Sequence, residues 1–483
     1  MNSFTLGSLI ALLGISMATT DASSQGTVDR TKRPAGQALP KIELPAIQKA
    51  TLSNGLQVWL VEQHKLPMLS FNLVIQSGSD HDPLNKPGIA TMTAEVMDAG
   101  TTTMDALKIA DRLDFIGANM AIRAGLDGTF ASLETLTKHL NEALSVFGDV
   151  ISHPTFPEKE FERLRSQRLT GLLQQKDRAA TIASLAFNHI VYGPDHPYGN
   201  DPSGTEQSVK AFTRQDLVDF YTAHYRPNNA TLVVVGDATL ADLIKILEKN
   251  LSDWKKADVP SLKIPAARPI DSRRVYLIDK PGAPQSEIRI GYPALARSTP
   301  DFFPVIVMNQ ILGAQFSSRI NMNLRERRGL TYGARSGFSF AKQPGPFVAS
   351  GGFVSTATDT AVHQLLYELD RMHADGMTPE ELAFSKKGLT GGFALTFETS
   401  GQIARALQNI VLYGLPENYY ENYLQNIDRI SLDDIRRVAK SYLDTRKMAV
   451  VIVGDVKTIK QGVDALHAGE MVMCDVDGNR IAQ

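Results

Sequence analysis

The chain is predicted to fold as an α+β protein made of two homologous domains, each a mainly antiparallel sheet with helices packed on one face. Three observations carry that expectation. NATLVVVGD, from Asn229 to Asp237, returns as KMAVVIVGD, from Lys447 to Asp455, 218 residues later. LTGLLQQKDRAATIASLAFNHIVYG, ending at Gly193, returns as LTGGFALTFETSGQIARALQNIVLYG, ending at Gly414, at a spacing of 221. Strands arrive as hairpins while helices come in long pairs. A period this long is a duplicated domain, not a solenoid repeat of about 20–50 residues. The 483 residues also exceed the roughly 250–300 at which a single hydrophobic core stops growing.

Along the chain, the apolar run Leu6 to Ala18 is too short to span a bilayer and has the size of a signal-peptide core. Small residues follow it, so cleavage after Ala18 or Ala22 fits. Residues 1–22 are therefore expected to be a signal peptide and 23–40 a flexible segment, which predicts a periplasmic or secreted protein. No cysteine sits at the end of the run to take a bacterial lipid anchor.

The first domain is expected over 41–251. ATLSNGLQVWLVEQ reads as a hairpin on Asn54-Gly55, a pair that tolerates positive φ, and LSFNLVIQSG from Leu69 continues the sheet. Pro87 and Gly100 bracket a helix over Gly88 to Ala99. A second helix is expected from Thr103 to Ile116, closed by Gly117, and another from Glu160 to Lys176. Capping pairs start later helices at Thr213 with Asp216, Thr239 with Asp242, Thr378 with Glu381 and Ser431 with Asp434.

SDWKKADVPSLKIPAARPIDS, residues 252–272, has three prolines, clustered charge and no lasting period, and reads as a linker. The second domain is expected over 273–466, with 467–483 as a tail. In it NMNLRERRGLTYG, Asn321 to Gly333, reads as an arginine-rich helix that breaks at Gly329 into a strand starting near Tyr332. GPFVASGGF, Gly345 to Phe353, reads as an edge strand.

Composition narrows the function classes. A net charge of −2 with 21% charged residues describes an ordinary surface that calls for neither nucleic acid nor an anionic membrane. The single cysteine, Cys474, has no partner for a disulfide or a thiolate metal cluster. Gly-x-Ser-x-Gly, phosphate-loop and dinucleotide fingerprints are missing from the sequence.

The segment GIATMTAEVMDAGT, Gly88 to Thr101, carries the functional signal. In the inverted zincin signature His-x-x-Glu-His, two imidazoles one helical turn apart hold zinc and the glutamate activates water. Here those positions are Thr91, Ala94 and Glu95. A hydroxyl and a methyl replace neither an imidazole nor a general base, and one carboxylate does not hold zinc.

The frame resembles the pitrilysin family, which includes insulin-degrading enzyme and the mitochondrial processing peptidase and reads close to G-L-A-H-F-L-E-H-M-L-F-K-G-T. Gly88, Ala90, Gly100 and Thr101 match it. The third family ligand is a glutamate further on, whose place falls near Gly171 or Leu172, yet Ser166 to Leu173 holds no acid. The resemblance spans roughly residues 40–466 and implies two halves facing each other in a clam-shell arrangement. It also implies that an arginine and a tyrosine of the second half, matched by Arg325 and Tyr332, reach toward the zinc and hold substrate. A guanidinium and a phenol both donate hydrogen bonds to a peptide carbonyl or to its oxyanion.

In some bacterial relatives one subunit bears the zinc motif and its partner bears the Arg/Tyr pair. The expectation is thus a non-catalytic, substrate-binding subunit of a heterodimeric zinc metallopeptidase that binds no cofactor itself, zinc lying in the partner chain. Two alternatives stay open. One is a peptide-binding or scaffold protein without a peptidase partner. The other is an enzyme with unrecognised ligands, such as Glu95 with histidines from elsewhere. Asp80-His81-Asp82 suits a loop better than a metal site, because three adjacent side chains do not readily face one ion. His196-Pro197-Tyr198-Gly199 resembles a family loop and reads as structural, and Ser339-Phe340-Ala341-Lys342 matches Ser-x-x-Lys without its companion motifs.

Overall fold

The computed structural model describes residues 46–481, so the expected signal peptide and the whole of the flexible segment after it lie outside the described residues. The first half contributes β1 (Gln48–Thr51), β2 (Gln57–Glu62), β3 (Met68–Ile75), β4 (Asn119–Ala124), β5 (Thr129–Leu136) and β6 (Ala230–Gly236), in the sheet order β1-β2-β6-β3-β5-β4. The second contributes β7 (Arg274–Asp279), β8 (Gln285–Leu295), β9 (Ala334–Phe338), β10 (Gly345–Val354), β11 (Ala449–Gly454) and β12 (Glu470–Cys474), in the order β12-β7-β11-β8-β10-β9. Without the outermost strands β1 and β12, the two orders are the same. Each then has a parallel pair, β2 with β6 or β7 with β11, followed by three antiparallel pairings. The duplication seen in the sequence is a duplicated topology, and the mainly antiparallel α+β class holds.

Among the described residues eight helices belong to the first half: α1 (Ile89–Val96), α2 (Ala106–Phe115), α3 (Leu140–Ser152), α4 (Glu158–Gln175), α5 (Ala179–Tyr192), α6 (Glu206–Ala211), α7 (Arg214–His224) and α8 (Leu240–Leu251). The second half has α9 (Phe302–Asn309), α10 (Arg319–Asn321), α11 (Thr358–Asp375), α12 (Pro379–Gly391), α13 (Ser400–Tyr413), α14 (Tyr423–Asp428), α15 (Leu432–Tyr442) and α16 (Val456–Ala465). All four expected caps form: the side chains of Thr213, Thr239, Thr378 and Ser431 accept from the backbone N–H three residues on. The helix expected from Thr103 starts at Ala106 because Asp105 caps it, accepting from the Lys108 N–H at 2.9 Å. The hairpin on Asn54-Gly55 is present, with Gly55 at φ 92°.

Three expectations about the second sheet change. The strand placed near Tyr332 begins at Ala334, after a turn. Gly345–Val354 is an interior strand paired on both sides, and β9 is the edge. That edge is blunted: the Ser336 carbonyl accepts from the Asn309 amide at 3.0 Å, and the Ala334 N–H donates to Asn321 Oδ1 at 3.3 Å. Residues 470–474, placed in a tail by the sequence, add β12 at the other edge.

Each half packs its own helices on one sheet face, as expected. The opposite face is covered by a helix exchanged from the other half. From α13, Ile403, Leu407 and Ile410 lie on Val233 and Val235 of β6. From α5, Ile182, Ala186 and Phe187 lie on Val451 and Val453 of β11. This explains the unbroken apolar runs of β6 and β11, since strands buried on both faces lose their alternation. At about 1.5–3 kcal/mol per buried large apolar side chain, the exchange outweighs any surface ion pair in joining the halves. Residues 255–273, which include most of the expected linker, carry neither helix nor strand.

Candidate functional site

The segment Asp80-His81-Asp82 serves α1. Asp82 accepts from the N–H groups of Gly88 at 2.7 Å and Ala90 at 2.9 Å, so its carboxyl caps the helix. Burial pushes that carboxyl up to about 8, against the pull of the two N–H donors. Asp80 pairs with His81 at 2.6 Å. Gly88 stands at φ 94°, and a Cβ there would lie 2.5 Å from the Gly204 Cα, so the loop 200–204 closes directly on the start of α1.

The three zinc-frame positions sit on α1 as the spacing predicts, with other partners. Thr91 Oγ1 donates to the Pro202 carbonyl at 2.6 Å, tying the helix to that loop. Ala94 is buried in the first core. Glu95 forms an ion pair with Arg168 of α4. Burial raises the Asp201 carboxyl, opposed first by its hydrogen bonds from Ser203 and more weakly by the charge of Arg168. One hydroxyl, one methyl and one carboxylate already held by an arginine do not fit zinc. Among the described residues no group of three or more His, Cys, Asp or Glu could hold a metal ion. Arg168 escaped the sequence reading, though its signal was present: a base in the stretch where the family places an acid.

In the second half, α10 continues into a π-helical turn, Met322–Arg327, that carries Arg325. The Arg325 guanidinium lies 4.8 Å from the ring centroid of Phe316, and its Nε is 3.3 Å from Glu326. The chain reverses at Gly329, φ 65°, whose N–H donates to the Arg325 carbonyl at 3.0 Å. Tyr332 follows on the same turn with 89% of its surface exposed. Thr331 pins the turn by donating to the Gly352 carbonyl at 2.7 Å. Asn321 links the parts: its amide donates to the Phe316 carbonyl at 2.7 Å, and its oxygen holds the first N–H of β9. Arg328 is drawn away instead, donating to Asn323 at 2.8 Å. Phe316, 62% exposed in the polar stretch around Gln315 and Ser317, was missed because nothing local marks an unburied aromatic.

The two leftover motifs meet at the junction of the halves. Tyr198 donates its hydroxyl proton to buried Asp127, which accepts the Lys342 N–H at 2.7 Å. Cys474 is buried in β12 and its thiol is pushed up to about 11 by burial, so it is unreactive at neutral pH.

Residues 57–189 match the family model described as Insulinase (Peptidase family M16), and residues 211–389 match the one described as Peptidase M16 inactive domain. The chain is 25% identical over 405 residues to the "Non-peptidase homolog YmxG" of Helicobacter pylori, covering 83% of this chain and 92% of that protein. It is 24% identical over 409 residues to the "Uncharacterized zinc protease YmxG" of Bacillus subtilis, covering 84% and 98%. The crystal structure of a peptidase M16 inactive domain from Pseudomonas fluorescens superposes with a TM-score of 0.79 at 27% identity, covering 84% of this chain and 98% of that one.

Proposed function

Because this chain belongs to peptidase family M16, the insulinase family, as a member of the inactive type, we propose that it is the substrate-binding subunit of a heterodimeric zinc metallopeptidase. The partner chain supplies zinc and general base. This chain closes the other half of the chamber, binds an extended peptide, and offers Arg325 and Tyr332 to the carbonyl under attack. The observation that carries the reading is a contrast. The metal frame on α1 is rebuilt with Thr91, Ala94 and an ion-paired Glu95, while Arg325 and Tyr332 flank a turn braced by Asn321 and Thr331, with Tyr332 exposed to solvent. We place the complex in the periplasm, from the apolar run at Leu6 to Ala18.

Mixing the purified chain with a zinc-bearing family member from the same cell tests the role. Peptide hydrolysis should need both chains. Tyr332→Phe should lower kcat by about 10²-fold, the scale of a lost oxyanion donor, with the complex intact by size-exclusion chromatography. A mixture no more active than the zinc-bearing chain alone overturns it. The exposed Phe316 and Tyr332 would equally serve a scaffold that binds peptides with no peptidase partner. A homodimer that binds peptide but activates no zinc-bearing chain favours that second reading.

A further inference from the structure

We propose that Arg168 is a built-in replacement for the metal, a cation fixed to α4 that holds α1 and α4 together and makes the first half refractory to divalent ions. In the zinc frame a dication bridges donors on the two helices. Here the bridge persists with its charges redistributed: α4 brings the cation and α1 brings the anion, Glu95. The Arg168 side chain is only 15% exposed, so its charge is poorly hydrated and depends on the carboxylate of Glu95.

The surroundings are built for the permanent cation. The loop 200–204 is shut on α1 by the bond from Thr91 to the Pro202 carbonyl and by the contact of Gly88 with Gly204. A dication entering here meets a positive charge at short range in a partly dry setting, where repulsion is strong. It also finds its one first-frame carboxylate already taken. The missing ligands and the arginine are therefore complementary, and restoring donors without removing Arg168 leaves the site hostile to metal.

The inference concerns the isolated chain and does not rest on the partner reading. Its test is zinc affinity of the full chain, measured by competition with a chromophoric chelator. Thr91→His with Glu95→His places two imidazoles one helical turn apart on α1. That double variant should bind zinc at least tenfold more weakly than the same variant carrying Arg168→Gln. Arg168→Lys, which keeps the charge, should give no such gain. Equal affinities with and without Arg168→Gln, or an equal gain with lysine, would overturn the proposal. A second measurement needs no histidines. Glu95→Gln strands a poorly hydrated guanidinium and should lower Tm, and adding Arg168→Gln should recover part of the loss. Strictly additive losses would sink the idea even if the histidine variants fail to fold.

Discussion

Asp127 and Lys342 hold each other reciprocally across the junction of the halves: Asp127 Oδ2 accepts the Lys342 backbone N–H at 2.7 Å, and Lys342 Nζ donates to the Asp127 carbonyl at 2.7 Å. Asp127 sits in the turn between β4 and β5, and Lys342 in the loop between β9 and β10. The Tyr198 hydroxyl completes the knot, donating to Asp127 and accepting the Gln343 N–H at 3.1 Å. Tyr192 adds a bond to the Pro344 carbonyl at 2.8 Å. Burial disfavours both charges, raising the Asp127 carboxyl and lowering the Lys342 ammonium, so the pair is retained for its hydrogen bonds more than for net attraction.

Asp127→Ala should therefore be among the more damaging polar substitutions. It leaves the Lys342 N–H and the Tyr198 hydroxyl buried without an acceptor, at about 1–3 kcal/mol for each such group. Lys342→Met keeps the backbone N–H and should cost clearly less. Urea denaturation of the two variants checks the order, and a Lys342→Met loss as large as that of Asp127→Ala contradicts it.

The exchanged helices make a second prediction. Leu407 of α13 is 1% exposed against the sheet of the other half. Leu407→Ala should cost about 2–5 kcal/mol as a buried cavity. Because α13 and α5 tie each sheet to the opposite half, the loss should appear as a shift of one cooperative calorimetric transition. Two separated transitions, with only one of them moved, would show that the halves unfold independently.

The capping residues, the Asn54-Gly55 turn and the duplication were legible in the sequence because each depends on neighbours a few residues away or on a repeated string. The exchange of α5 and α13 was not, since it depends on which sheet a helix meets, yet Leu232 to Val235 and Ala449 to Val453 carried a trace of it as runs without alternation. Gly345–Val354 reads as an edge because its glycines suggest weak pairing, yet it pairs on both sides. Gly345 shows a reason for a small residue there: a Cβ would lie 1.8 Å from the Ser339 carbonyl. At the site, the vacated ligand positions could be read directly, whereas Arg168 and Phe316 matter only through the side chains that fold against them.

His224 gives the acid side of the stability profile. Its ring is buried beside Phe220 and His81, its Nδ1 finds no hydrogen-bond partner among the described residues, and burial lowers it from 6.5 to about 4, with the His81 charge adding to the effect and Asp80 opposing it. The unfolded chain therefore binds the proton first. The stabilisation from a neutral His224 is complete above pH 6.5 and is lost as pH falls toward 4, amounting to about 3 kcal/mol. His224→Gln should flatten urea midpoints measured between those pH values. Asp82 leans the other way: with its carboxyl raised from 3.8 to about 8, the folded state weakens as pH climbs between those values, and Asp82→Asn should remove that opposing slope. Unchanged slopes in both variants would place the pH dependence elsewhere.

The last prediction concerns the support under Arg325. Phe316 is 62% exposed, so Phe316→Ala removes little buried surface and should leave Tm nearly unchanged. It does remove the ring 4.8 Å below the guanidinium, and an exposed cation–π contact of this kind is worth about 0.5–1 kcal/mol. If Arg325 holds substrate, the loss appears as a KM raised roughly two- to fivefold in the assembled peptidase, the same free energy expressed as affinity. Arg325→Ala should raise KM further, and Phe316→Ala on that background should add nothing, because the ring then has no cation to steady. A Phe316 effect that persists in the absence of Arg325 would mean that the ring touches the peptide itself.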